Sequence, residues 1–182
     1  MFRRILFVAT VAAISLACSA EKGDPAADSM PAAADDSPLP TARAMMHDAT
    51  GRELGELMLS EDAGRVSVRG TLHSLPPGEH GMHLHMAARC EPPFESAGDH
   101  WNPSERAHGL ENPAGPHLGD LPNLTVAADS TATFNFTNAE GTLATLRDFD
   151  GASVIVHADR DDLRTDPSGN SGDRIACGAV TQ

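Results

Sequence analysis

The stretch Gly81-Met82-His83-Leu84-His85-Met86 alternates apolar and imidazole side chains with a period of two, the pattern of a β-strand with one apolar face. Its even positions, Met82, Leu84 and Met86, are read as core-facing. His83 and His85 then share the opposite face, about 6 to 7 Å apart along the strand, close enough for two imidazoles to converge on one metal. The same alternation recurs in Leu57/Leu59, Val66/Val68/Leu72, Leu124/Val126, Phe134/Phe136 and Val154/Val156. Edge segments near Arg43 to Thr50 and Arg174 to Thr181 bring the count to about eight strands, separated by Gly, Pro and Asp turns. Alternation means one buried and one solvated face, which predicts an all-β antiparallel sandwich or barrel. Two stretches break the rhythm, Ala87 to Leu121 and Ala158 to Asp173. Loops of that length are uncommon in compact domains unless functional or disordered.

The chain has 182 residues and a formal net charge of -13. Nucleic acid and anionic membrane surfaces are polyanions that such a surface repels, so neither is expected as an electrostatic partner. Residues 1–18 read as an export signal: Arg3 and Arg4 precede an apolar run, Ile5 to Leu16, that is too short to span a bilayer. Ser15-Leu16-Ala17-Cys18 resembles a bacterial lipobox with its Leu one place late, and also fits an ordinary signal-peptidase site. Lipidation at Cys18 would give the chain its one membrane contact. Residues 19–40 are Ala, Asp, Pro and Ser with almost no large apolar side chain, so they are read as a flexible linker. A single globular domain is expected over 41–182.

The first long loop carries His100, His108, His117 and Asp120, a set of three imidazoles and one carboxylate suited to tetrahedral Zn²⁺. A fixed metal would order a loop with too few apolar residues to order itself. His157 ends the strand Val154-Ile155-Val156-His157 with parity opposite to the core-facing valines, and an imidazole-only set of His83, His85 and His157 suits copper better than calcium or magnesium. His80 has inward parity and is read as a satisfied core histidine; His47 and His73 are read as ordinary polar positions.

Four segments together resemble the copper/zinc superoxide dismutases of the bacterial exported type: Gly78 to His85, Ala97-Gly98-Asp99-His100-Trp101-Asn102-Pro103, Gly115-Pro116-His117-Leu118-Gly119-Asp120-Leu121, and Gly172-Asp173-Arg174-Ile175-Ala176-Cys177-Gly178. The resemblance runs from about Ala42 to Val180. It implies an eight-stranded Greek-key β-barrel with two long functional loops. It places copper on His83, His85, His100 and His157, and zinc on His100, His108, His117 and Asp120, with His100 as the bridge. It implies a superoxide-disproportionating enzyme in which Arg174 steers the anion, Asp161 hydrogen-bonds between a copper and a zinc ligand, and Cys90 pairs with Cys177. Cys18 is then the odd cysteine, which favours its lipidation and a periplasmic or membrane-anchored location. Exported relatives occur as monomers and as homodimers, and both states stay open.

Several positions depart from the family pattern. Met82 stands where Phe is usual, and Trp101 follows the bridging His where a smaller aromatic is usual, either altering access or covering the zinc loop. The loop 158–173 has only Arg160 and Arg164 against five aspartates, which weakens long-range steering. Without the resemblance, Asp159, Asp161 and Asp162 would read as a solvated acidic run or a poor calcium loop. A metal-buffering or metal-delivery module without turnover is the alternative function, and a structural barrel that lost the chemistry is a third. Asn123-Leu124-Thr125 and Asn135-Phe136-Thr137 fit the glycosylation sequon but lie in strand-like segments and are read as coincidence.

Overall fold

The computed structural model describes residues 41–138, 140–148 and 150–182. Residues 1–18, read as an export signal, and 19–40, read as a linker, lie outside the described residues, Cys18 among them. The described chain is all β apart from two single turns of helix. Its strands are β1 (Thr41–Asp48), β2 (Glu53–Asp62), β3 (Arg65–His73), β4 (Gly78–His80), β5 (Met82–His85), β6 (Leu124–Val126), β7 (Thr131–Thr137), β8 (Ser153–His157) and β9 (Arg174–Thr181), with a helical turn α1 (Leu143–Leu146) between β7 and β8. Every pairing is antiparallel. Seven strands form one sheet in the order β5-β8-β9-β1-β2-β3-β7, and β4 pairs with β6. Neighbours that are distant in sequence, β5 with β8 and β3 with β7, give the Greek-key barrel.

The expected strands are all present. One of them is split: the stretch running through His80 to His85 breaks at Gly81, whose N–H donates to the Asp159 carbonyl (2.8 Å) and whose carbonyl accepts from His157 (2.9 Å), so nine strands stand where about eight were expected. A single core runs through the barrel from Met46, Leu57 and Leu59 to Val154, Val156 and Ala176. Met82, in place of the usual Phe, is fully buried within it. Phe134 and Phe136 are only partly buried and stack on one another with ring centroids 5.0 Å apart.

Two expectations fail, each for its own reason. His83 and His85 lie on the face opposite the core, yet that face is not solvated, because the loop 87–121 covers it and both rings are fully buried. A second small cluster of Phe94, Ala97, Ile155 and Cys177 covers the outer side of β8 in the same way. Met86, expected in the core, is 42% exposed, because β5 ends at His85.

Trp101 lies in the core and not in the wall of the cavity beside the histidines. It is 2% exposed within the main core, and its backbone pairs with Leu84 and Gly119. Gly141, at φ +124°, lies against its ring so closely that a methyl group there would overlap it. Gly141→Ala is expected to cost about 2 kcal/mol or more, from overpacking and backbone strain together. Urea denaturation followed by the fluorescence of this single tryptophan measures the loss.

Candidate metal centre

β5 is the edge strand of the large sheet, and its free edge is closed by the first long loop instead of another strand. Trp101 N–H donates to Leu84 O (2.8 Å), Leu84 N–H to Gly119 O (2.9 Å) and Met86 N–H to Asp99 O (3.0 Å). This ladder sets His100 opposite His85 and Asp120 opposite His83. On the other side of β5, β8 pairs with it and ends at His157, which lies opposite Arg174 at the start of β9, next to a register shift. Three strand ends and one loop thereby deliver four imidazoles and a guanidinium to one place.

Donor atoms of His83, His85, His100 and His157 lie within 4.8 Å of one another. The second nitrogen of three of these rings is already committed. His83 Nε2 donates to Asp161 Oδ2 (2.7 Å), His85 Nδ1 to Gly98 O (2.9 Å) and His157 Nδ1 to Gly172 O (3.1 Å). The remaining atoms, His83 Nδ1, His85 Nε2 and His157 Nε2, are buried without a hydrogen-bond partner. Orienting each ring by a carbonyl or carboxylate on its far nitrogen is how proteins hold metal-ligating histidines, and buried orphaned nitrogens are costly unless something coordinates them.

The neighbouring set has tetrahedral dimensions. Asp120 Oδ1 is 3.1 Å from His100 Nδ1, 3.0 Å from His108 Nδ1 and 3.3 Å from His117 Nδ1, and one of the three ring-to-ring edges, His117 Nδ1 to His100 Nδ1, is 3.4 Å. A tetrahedral zinc with bonds of about 2.0 to 2.1 Å requires edges of about 3.3 Å. Proximity alone also groups His83 with His100, His108 and Asp120. His83 falls in both groups, whereas His117 has the edge lengths of the second. His100 uses Nδ1 here, which leaves Nε2 for the side facing His83, whose ring centroid is 4.0 Å away.

Asp161 is fully buried between the two sets, bonded to His83 and, at 3.0 and 3.1 Å, to His108 Nε2. The solvated-run and calcium-loop readings do not fit it. Asp162 instead caps its own loop through Arg164 N, Thr165 N and Asn170 Nδ2. Arg160 and Arg164 pair with Glu79 and Glu111, so neither is a free cation for steering. Arg174 donates to the carbonyls of Phe94 (2.8 Å) and Gly98 (2.9 Å), and lines a cavity of about 550 Å³ together with His100, His117 and His157. Cys90 and Cys177 form a disulfide. His80 is buried with its ring nitrogens 2.9 and 2.8 Å from the carbonyls of His157 and Pro76.

Sequence reasoning missed Asn123. Its side chain accepts from Asp161 N–H (2.8 Å) and donates to Asp161 O (2.9 Å), so the residue read as an incidental sequon clamps the backbone of the bridging aspartate. It also missed Arg106 and Met86 in the cavity wall. No spacing signal marks any of the three.

Burial pushes His83 down to about 3 and His157 down to about 4, and lowers His85 and His100 as well. Burial acts in the same direction on His108, but hydrogen bonds to Asp120 and Asp161 outweigh it and carry His108 up to about 9. Both carboxylates are buried, which would raise them, yet their histidine partners hold them below the usual carboxylate range. The unfolded chain titrates its histidines near 6.5. Below that pH the unfolded state takes up protons that the folded metal-free protein refuses at His83 and His157, so stability falls as pH drops toward 4. Above it, folded His108 keeps a proton the unfolded chain has released, so stability falls as pH rises toward 9. Four lowered histidines outweigh one raised histidine at pH 6.5, so metal-free protein is expected to be most stable at about pH 7, and a zinc ion on His108 would displace its proton and remove the alkaline limb. Melting temperatures between pH 4 and 9 check this; a monotonic profile contradicts it.

The sequence model of the copper/zinc superoxide dismutases matches residues 54–180. A superoxide dismutase-like protein of Bacillus subtilis (strain 168) is 41% identical over 140 residues, spanning 71% of this chain and 70% of that protein. The Cu-Zn superoxide dismutase of Caulobacter vibrioides is 36% identical over 148 residues, 77% of this chain and 85% of that protein. The solved structure of the Cu/Zn superoxide dismutase from Brucella abortus matches with a TM-score of 0.66 at 28% identity, covering 77% of this chain and 99% of that one. With a two-sided histidine site on a Greek-key barrel and a family match across most of the described domain, the chain belongs to the copper/zinc superoxide dismutase family.

Proposed function

We propose that this chain disproportionates superoxide to dioxygen and hydrogen peroxide, with a copper ion that His83, His85, His100 and His157 would hold and a zinc ion that His100, His108, His117 and Asp120 would hold, His100 being common to both sets. The observation that carries this reading is the set of orphaned imidazole nitrogens facing one another beside a cavity that also holds Arg174. Copper, when bound, supplies the one-electron exchange; zinc is redox-silent. Arg174, fixed by two carbonyls, orients the anion at the cavity wall. His100 holds a proton at Nε2 when that nitrogen is free and passes it to the reduced oxygen product. Asp161 keeps His83 and His108 in register with one another, and Asn123 keeps Asp161 in place.

The decisive experiment is superoxide decay followed by stopped flow on protein carrying one copper and one zinc. Fast second-order loss supports the enzyme; negligible loss at verified loading favours the metal-buffering or delivery reading. Arg174→Ala is expected to lower the second-order rate constant by about tenfold at low salt, with metal content intact and the salt dependence flattened. Unchanged turnover at both low and high salt removes Arg174 from the mechanism.

The export reading is part of the same proposal. Residues 1–18 direct the chain out of the cytoplasm, residues 19–40 tether the domain, and Cys18 carries a lipid. Pairing of Cys90 with Cys177 supports it, because disulfides persist in oxidising compartments and leave Cys18 as the remaining cysteine. Intact mass of the mature protein tests it: a diacylglycerol-modified Cys18 is expected at the new N-terminus, and a cleaved, unmodified chain overturns lipidation.

A further inference from the structure

Met86 is 42% exposed at a position where parity predicts burial, while Met82 and Leu84 in the strand that precedes it are fully buried. Its backbone is tied to Asp99 O, and its side chain forms part of the wall of the cavity of about 550 Å³ that contains His100, His157 and Arg174. The rim of that cavity carries Glu95, Asp99, Asp166 and Asp173 against two guanidinium groups, so the mouth of a site for an anionic substrate attracts cations. His157, 3% exposed, lines the same cavity, and its buried Nε2 has no hydrogen-bond partner. A thioether is a soft, uncharged donor that selects monovalent copper over zinc and over the hard cations. A single thioether holds copper weakly, and the imidazoles deeper in the cavity hold it more tightly through several bonds.

We propose that Met86 is a transit ligand for monovalent copper: the acidic rim gathers the ion, the Met86 thioether takes it first, and the imidazoles of the deeper set then displace that sulfur. The ion keeps its oxidation state throughout, and no bond of the protein is broken. The inference rests on the copper site proposed above.

The test uses full-length protein loaded with zinc and free of copper, and the coloured bicinchoninate complex of Cu(I) as donor; loss of donor absorbance reports transfer. Met86→Leu keeps the size and apolarity of the side chain and removes the sulfur. It is expected to slow transfer by about tenfold, equivalent to about 1.4 kcal/mol in the barrier, while reaching the same final copper stoichiometry. Met45→Leu removes a thioether of similar exposure, 37%, that lies outside this cavity, and is expected to load like the wild type. Silver(I), a redox-silent soft stand-in, added beyond the one equivalent that the deeper imidazoles take up, is expected to shift the Met86 methyl resonance and to leave Met45 unmoved.

Equal transfer rates for wild type and Met86→Leu overturn the proposal, as does a Met86 resonance that silver leaves unchanged. A lower final stoichiometry in Met86→Leu also overturns it, since sulfur would then be a permanent ligand. Failure of the wild type to take up any Cu(I) sinks the copper site itself, an outcome separate from equal rates.

Discussion

Asp161→Ala is expected to weaken copper and zinc binding together, by about 10- to 100-fold each, the usual cost of removing a partner that orients a ligating histidine. One carboxylate holds His83 Nε2 at 2.7 Å and His108 Nε2 at 3.0 Å, and His83 and His108 belong to different metal sets. Truncation leaves both nitrogens buried without a partner and both rings free to turn. Competition titrations with chromophoric chelators, run separately for each metal, measure the effect. Loss at one site alone would show that the two sets are held independently. Gly169→Ala provides a second route to the same result, because a methyl group at this position, φ +62°, would fall on the Asp161 carboxylate and displace it. If Gly169→Ala left both affinities at wild-type values, Asp161 could not be the shared support described above.

Removing the disulfide is expected to produce the largest loss of stability. Cys90 and Cys177 are 87 residues apart, and the chain-entropy model assigns about 4 to 5 kcal/mol to a closure of that length. Cys90→Ser with Cys177→Ser is therefore expected to lower the melting temperature by about 10 to 20 °C, using the usual scaling for a domain of this size. Activity should fall beyond what unfolding explains. The segment that Cys90 pins includes Phe94 and Gly98, whose carbonyls fix the Arg174 guanidinium, and the Gly98 carbonyl also fixes His85 Nδ1. Thermal melts with and without reductant, paired with rates at a temperature where the variant is fully folded, separate the two effects. A melting temperature unmoved by reduction would refute the stability part.

Strand parity was legible from the chain because Leu57, Leu59, Val66 and Val68 alternate without exception and all of them are buried. Both ligand sets were legible through the family resemblance; the structure brings their side chains close together, and proximity alone also groups His83 with His100, His108 and Asp120. What parity does not report is what covers a face. The sides of β5 and β8 that carry His83, His85 and Ile155 look solvated in sequence and are sealed by loop residues far along the chain. Met86 misled for a related reason: alternation continues in sequence one residue past the end of the strand. Asn123 was invisible because its function is two hydrogen bonds to the backbone of a residue 38 positions away, and no residue type or spacing encodes that contact.

The capped edge of β5 has a consequence for the life of the protein before it acquires metal. An unpaired strand edge is a template on which another chain can add itself. Here that edge is occupied by residues 99–101 and 119, the same segments that carry His100 and flank Asp120. Trp101, Leu118 and Leu121 anchor the cap in the core, but the set proposed for zinc, His100, His108, His117 and Asp120, includes both of its ends. Metal supply would thereby bear on colloidal behaviour as well as catalysis: a chain starved of zinc would hold its guard segment by the backbone ladder and apolar contacts without the metal crosslink, and self-association would become the competing fate of the unloaded protein.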